Sequence, residues 1–337
     1  MNVSFRIWII IALGFVTFIA CEDPETKDRV VLNTETGVPE IDKTSALIAK
    51  DSTNAELYFQ RGELYAQRDV YTEAIRDFDR AIQLDSTQVM YYHGLADALL
   101  DNQMSFEALE MMKRARKLFP ERIGTALKLS EFQLILRKYL EALQTANEII
   151  ELKPTEAEAY FMKGMIYRDM GSNAQAMESF QKAVEFNPEL SEAFLYMGDM
   201  MSEENPEMAL RFYDNAILVD PKNPINHHSK ALHLHQRGQL QEAIAAYKEA
   251  HLLDMQYSEA FFNAGLLYLE LDSIPKSYKM FNIAVETEPS FAKAYYYRGL
   301  TAEIQGDTAQ ARGDYQMALQ YSPNMSEAQK ALSNLEE

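Results

Sequence analysis

One cysteine, Cys21, stands among the 337 residues, so no disulfide can form within the chain. Basic residues are also short: 32 Lys and Arg face 51 Asp and Glu, a net charge of −19. A surface that acidic repels phosphate backbones and argues against nucleic acid as a partner. Glycine (13) and proline (11) are sparse beside abundant Ala, Leu, Glu, Met and Tyr, a balance that points to helix. Long apolar runs are missing but for one of 13 residues at 7–19, well below the roughly 20 a spanning helix needs. Beyond Cys21 there is no thiol and no glycine-rich phosphate loop, and the carboxylates fall at helical spacing, the pattern of a solvated face. No catalytic constellation is visible, so no enzyme, cofactor or metal is expected. What is present suffices to fold. Hydrophobic residues make up 47% and charged ones 25%, and the length fits two ordinary domains or one long repeat array.

The apolar run (IWIIIALGFVTFI) follows a single basic residue, Arg6, and ends in Phe18, Ile19, Ala20 and Cys21. That length is typical of a signal-peptide core. The ending resembles the lipobox of bacterial lipoproteins, with Phe18 in place of the usual Leu. The competing reading is an uncleaved anchor with an incidental cysteine, but the only cysteine sits where the apolar run stops and charge begins. The resemblance implies cleavage before Cys21, lipidation of that residue and loss of Trp8, the only tryptophan. Each buried methylene of an acyl chain contributes about 0.8 kcal/mol, so two or three chains hold firmly to a membrane. Glu22 and Asp23 resemble the surface-export signal of Bacteroidota lipoproteins. Residues 1–20 are thus expected to be a signal peptide and 21–40 a lipidated, flexible tether. Lipid attachment to the outer membrane follows as the expected location, with the periplasmic side and the cell surface both open.

Residues 157–190, AEAYFMKGMIYRDMGSNAQAMESFQKAVEFNPEL, set the pattern for the remainder. They read as two amphipathic helices, with Gly171, Ser172 and Asn173 supplying the turn and Asn187 and Pro188 closing the unit. Numbered 1 to 34, the stretch has Tyr160 at position 4, Gly164 at 8, Tyr167 at 11, Ala176 at 20, Phe180 at 24, Ala183 at 27 and Pro188 at 32. This resembles the tetratricopeptide repeat. The same spacing recurs in units 55–88, 89–122, 123–156, 157–190, 191–223, 224–257, 258–291 and 292–325. Position 8 is small in every unit (Gly62, Ala96, Ser130, Gly164, Gly198, Ala231, Gly265, Gly299), so two helices can approach closely there. Residues 41–54 read as an N-terminal half-repeat, and 326–337 as a cap helix with a charged far side. The resemblance implies an all-α, right-handed superhelical solenoid of antiparallel helix pairs. The fifth unit is one residue short near Glu203 and Glu204, which should tighten its turn and alter the local pitch. The third has Ala126, Ser130 and Gln133 at positions 4, 8 and 11, an atypical set that marks it as a candidate flexible joint.

In that family a concave groove is lined mainly by first-helix positions 2, 5, 9, 12 and 13. Position 5 here carries Phe59, His93, Leu127, Phe161, Leu195, His228, Phe262 and Tyr296. Acidic groove positions carry Glu56, Glu63, Asp97, Glu131, Glu158, Glu192, Asp199 and Glu259. An apolar strip edged with carboxylates suits a polypeptide segment with apolar anchors and basic flanks; the competing role for the aromatics is to fill space between neighbouring helices. The groove bases Lys128, Arg168 and Lys293 are scattered, so the carboxylate-clamp mode of chaperone-tail repeat domains is not expected. Five of six histidines, His227, His228, His233, His235 and His251, fall in one unit. His228 and His235 are seven apart, about 10.5 Å along a helix, too far to share an ion unaided. A pH-sensitive contact near carboxylates suits them better. Methionines concentrated between 162 and 208 read as flexible core filler. The resulting expectation is a membrane-anchored scaffold docking envelope proteins, with a non-specific capture or sensing module for unfolded or secreted clients as the alternative. Repeat edges and grooves can also dock on each other, which leaves self-association open.

Overall fold

The computed structural model describes residues 36–335, so the apolar run, Cys21 and most of the tether lie outside the described residues. Eighteen helices and no strand occur among the described residues, stacked as antiparallel pairs into an all-α solenoid. The chain divides into two compact units, Met1–Ala108 and Leu109–Glu337. The division falls in the second repeat, one repeat before the atypical third.

The first unit contains α1 (Pro39–Lys50), α2 (Ala55–Ala66), α3 (Tyr71–Leu84) and α4 (Val89–Asp101), and α5 (Ser105–Leu118) runs across the division. The second continues with α6 (Ile123–Ile135), α7 (Tyr139–Leu152), α8 (Ala157–Asp169), α9 (Asn173–Phe186), α10 (Ser191–Met201) and α11 (Pro206–Val219). It is completed by α12 (Pro224–Gln236), α13 (Leu240–Leu253), α14 (Ser258–Glu270), α15 (Ile274–Thr287), α16 (Ala292–Ile304), α17 (Thr308–Tyr321) and α18 (Ser326–Asn334). No helix among the described residues is long and apolar enough to cross a membrane.

In five repeats, the first, fourth, fifth, seventh and eighth, the pair closes where an aromatic ring at position 24 lies on a glycine at position 8. A methyl group placed on Gly164 would meet Phe180 at 2.5 Å, one on Gly265 would meet Phe281 at 2.6 Å, and one on Gly198 would meet Tyr213 at 2.7 Å. The rings are fully or nearly fully buried. Only a residue without Cβ admits such an approach, because well-packed cores have no slack to yield. The third repeat lacks this ring-on-glycine contact. There Ser130 Oγ donates to Ala142 O at 3.0 Å and Thr145 Oγ1 donates to Gln133 Oε1 at 2.8 Å, so buried hydrogen bonds join α6 to α7.

The turn inside each pair has its own rule. Position 15 takes a left-handed backbone in seven repeats, with Gly171, Gly238 and Gly306 at three and Asp69, Gln103, Arg137 and Asp272 at four. The fifth repeat has dropped that residue. Its first helix, α10, spans 11 residues where α8 spans 13, and Asn205 Oδ1 instead accepts from Met208 N at 3.1 Å ahead of Pro206. The missing residue therefore shortens the helix. The connection itself lengthens to residues 202–205, against 170–172 in the fourth repeat, which corrects the expectation of a tighter turn.

Repeats are joined through position 4. Tyr58, Tyr92 and Tyr160 each donate a hydroxyl to the carbonyl six residues earlier, at 3.3, 3.1 and 3.1 Å. In the sixth repeat His227 Nε2 performs this task on Pro221 O at 3.0 Å, and in α18 Gln329 Nε2 does so on Pro323 O at 2.8 Å. The cap helix thus continues the repeat register as the first helix of a further pair. Helix α1 holds the register of a second helix and opens at Pro39, two residues before the boundary read from the sequence.

Candidate functional site

First helices of successive pairs approach one another, α2 with α4 in the first unit and α6 with α8, α10 with α12 and α12 with α14 in the second. Within each unit the groove residues read from the sequence stand on these first helices, the face called inner below.

In the first unit Glu56 and Glu63 are exposed and His93 and Asp97 are half-buried. Phe59 is buried between Phe78 and Tyr91, ring centroids at 5.6 and 5.0 Å, and the Tyr91 hydroxyl donates to Glu56 Oε2 at 3.2 Å. Partial burial, with Glu56 close by, pushes the Glu63 carboxyl above the usual carboxylate range.

In the second unit Glu131, Glu158, Glu192, Asp199 and Glu259 are exposed, and Leu127, Phe161 and Tyr296 are half-buried. The best-formed stretch lies on α8 and α10. The Phe161 ring sits 5.7 Å from Phe180 and 5.9 Å from Tyr196, and the Arg168 guanidinium lies over Tyr196 at 4.4 Å. Asp199 accepts a hydrogen bond from Tyr213 Oη at 2.8 Å. The Glu158 carboxyl is pushed up, chiefly by its hydrogen bond to Glu156. An apolar platform, a stacked cation and three exposed carboxylates thus share one face.

Four position-5 residues lie deeper than a binding strip requires. Phe59, Leu195, Phe262 and His228 expose only 7, 8, 8 and 9% of their surface. Phe262 packs on Phe281, Phe291 and Tyr297 at centroid distances of 4.9 to 5.7 Å, so it fills space between repeats seven and eight. His228 Nε2 and Nδ1 lie 2.8 Å from Asn263 Nδ2 and 3.0 Å from Tyr257 Oη. Accepting from the amide at Nε2 leaves the proton on Nδ1, facing the tyrosine.

The histidines do not gather. His227 caps a carbonyl, His235 Nε2 pairs with Glu270 at 2.7 Å, His233 Nε2 lies 3.1 Å from Pro206 O, and His251 stacks on Phe261 at 5.0 Å. No group of three potential metal-ligating His, Cys, Asp or Glu residues occurs among the described residues. Burial pushes His228 down to about 4, against the pull of Glu259, and also lowers His233 and His251. These three therefore stay neutral near pH 7, which corrects the expectation of titration around neutrality.

Sequence reasoning passed over Tyr91, Tyr196 and Tyr297, which flank position 5 on the inner face, and Glu303, which accepts from Tyr315 Oη at 2.6 Å. Tyr196 and Tyr297 both stand at position 6, and Glu303 at position 12, so aligning whole repeats would have found these three; Tyr91, at position 3, carries no such signal.

Profiles described as tetratricopeptide repeat match residues 55–88, 157–190 and 292–325, and one described as TPR repeat matches 231–272, so these stretches of the chain are similar to tetratricopeptide repeats. It is 24% identical over 293 residues to the Hsp70-Hsp90 organizing protein of Triticum aestivum, covering 84% of this chain and 42% of that one. The chain spans less than half the length of the curated relatives it matches first. Among solved structures it is similar to the Cut9-Hcn1 tetramer of the APC/C (TM-score 0.54, 16% identity, 88% of this chain and 58% of that one). It is also similar to PilW, a type IV pilus biogenesis factor (TM-score 0.54, 19% identity, 62% and 98%). At these identities the likeness speaks to the fold.

Proposed function

We propose that this chain is a non-catalytic scaffold that binds segments of partner proteins on its inner face, tethered to the bacterial outer membrane through lipid on Cys21. The observation that carries the binding reading is the α8–α10 stretch, where half-buried Phe161 and Tyr196 lie between exposed Glu158, Glu192 and Asp199. Apolar anchors of a partner desolvate on the rings while its Lys or Arg side chains meet carboxylates. With a net charge of −19, the chain favours basic segments at long range as well. In support, the chain is similar to an Hsp70-Hsp90 organizing protein and to a type IV pilus biogenesis factor. The tether rests on the sequence of residues 7–21 alone.

Photo-crosslinking in cells from a probe at Phe161, with Cys21→Ala as control, tests both halves. One or two dominant partners, lost in Glu158→Lys and Glu192→Lys and depleted from the membrane fraction in Cys21→Ala, are expected. A broad smear of clients would favour the capture module. Adducts unchanged by both charge reversals would remove the inner face from consideration.

A further inference from the structure

Residues 113–122, KRARKLFPER, hold five bases and one acid in a chain whose net charge is −19. They fill the last ten positions of the second repeat, and no other repeat carries more than one Lys or Arg at those positions. Packing of the repeat therefore does not call for them.

They form the end of α5 and the turn after it, within the second unit. Lys113, Arg114, Lys117 and Arg122 are exposed. Lys113 pairs with Glu110 at 3.0 Å, and Arg116 Nη1 donates to Pro120 O, a neutral acceptor. Lys117 and Arg122 form no ion pair among the described residues, and Leu118 between them exposes 50% of its surface. An aliphatic side chain flanked by cations is the chemistry that the inner face is suited to hold. On α8 and α10 the half-buried rings of Phe161 and Tyr196 lie among exposed Glu158, Glu192 and Asp199. The chain thus carries an acidic, ring-lined surface and its complement on separate elements of one unit.

We propose that the basic end of α5 in one copy docks on the α8–α10 inner face of a second copy, with Leu118 against the rings and Lys117 and Arg122 against the carboxylates. This rests on the inner-face reading above and gives that face an occupant. The contact is heterologous, so two copies joined once still offer one open surface of each kind. Docking covers the inner face, which makes self-association and the binding of partner segments mutually exclusive. An anionic lipid surface suits the bases less well, because it repels the remainder of so acidic a chain.

Sedimentation velocity of the purified full chain in detergent solution reads the association, and two double variants separate its surfaces. Lys117→Ser with Arg122→Ser removes the bases, and Glu158→Lys with Glu192→Lys disables the inner face; serine keeps the altered turn from pairing with the new lysines. The wild-type chain is expected to associate as concentration rises, about tenfold more weakly when salt goes from about 0.05 to 0.5 M, because exposed charges are screened. Each double variant alone should sediment as a monomer with an unchanged unfolding midpoint. An equimolar mixture of the two should form one-to-one pairs and nothing larger, since one working surface of each kind remains. Association that survives either double variant, or a mixture that stays monomeric, would overturn the docking. A leucine-rich peptide with lysine at both ends tells this failure from that of the inner face. If the peptide binds the wild-type chain but not the Glu158→Lys, Glu192→Lys variant, and the wild type stays monomeric, the docking falls and the inner face stands. If neither peptide nor second copy binds, both readings fall together. A monomeric wild type that binds anionic vesicles, and loses them in the serine variant, would assign the bases to a lipid surface and overturn the proposal.

Discussion

The first and last full repeats fasten their helices with a buried arginine–aspartate pair, whereas in the sixth Lys230 at the same position makes only a partly exposed pair with Asp214 at 2.7 Å and a buried histidine joins the next repeat through neutral groups. Arg61 forms a two-pronged pair with Asp77, both contacts at 2.7 Å, and reaches Ser45 Oγ at 3.0 Å, tying α1, α2 and α3 together. In the eighth repeat Arg298 does the same with Asp314 at 2.9 and 2.6 Å and with Asn282 at 2.7 Å. Each arginine stands at position 7, its carboxylate sixteen residues later and its third partner sixteen earlier. The second repeat carries Leu95 and Met111 at positions 7 and 23, and the sixth carries Lys230 and Ala246. In the sixth, buried His228, held by Tyr257 and Asn263, links neighbouring first helices beside the more exposed His235–Glu270 pair. One frame thus accepts a buried ion pair or a neutral network. The chemistry chosen decides how each place responds to mutation and to acid.

The sharpest way to break the comparison is to take one partner from the charged link. Arg61→Leu strands Asp77 at a site that exposes 5% of the residue, and should cost about 3 kcal/mol in urea unfolding. The double change Arg61→Leu with Asp77→Met copies the second repeat and should recover most of that loss, because apolar replacements of buried pairs are often neutral. A double variant as unstable as the single one would mean that the pair itself, and not the stranded charge, holds the repeat.

Acid should separate the neutral link next. Folding lowers His228 from 6.5 to about 4, so the unfolded chain binds the extra proton between those values. Its contribution is complete above pH 6.5 and is lost as pH falls toward 4, about 2 kcal/mol by pH 5. His233 and His251 shift in the same direction. His228→Gln should therefore flatten the stability profile between pH 7 and 5 without removing its slope, as read by thermal unfolding. An unchanged slope would show that this histidine is not the group being titrated.

The smallest effect lies at position 15, where the two charged-link repeats differ. The last uses Gly306 at φ 83° and the first uses Asp69 at φ 60°. Gly306→Ala should cost about 1 kcal/mol, the strain of a left-handed backbone for a residue with Cβ. Asp69→Ala should cost less, since strain of that kind is already present. Equal losses would point away from backbone strain and toward the hydrogen bond from Tyr71 Oη to Asp69.

Much of this molecule was readable beforehand because its contacts are local and periodic. A small residue at position 8 and a ring at position 24 face each other once two helices pair, so Gly164 with Phe180 needs no knowledge of the remaining chain. The inner face was half-legible. Position 5 stands on the first helices, yet Phe59, Leu195, Phe262 and His228 are turned inward. Whether a ring at that position faces a partner or its neighbour depends on the next repeat: Tyr91 covers Phe59, and Phe291 and Tyr297 cover Phe262. The Arg61 and Asp77 pairing went unread, although its spacing of sixteen is repeated by Arg298 and Asp314.

By itself the sequence determined the repeat count, the register and the helix-pair architecture, because a 34-residue period encodes packing that each unit satisfies with its immediate neighbours. Tertiary structure decided what no single unit contains. It shortened α10 where one residue was dropped, assigned His227 a carbonyl to cap, and gave the Tyr213 and Tyr315 hydroxyls their carboxylates. Those outcomes turn on angstrom-scale distances between side chains, and hydrogen bonding falls away too steeply over such distances for spacing along the chain to foretell it.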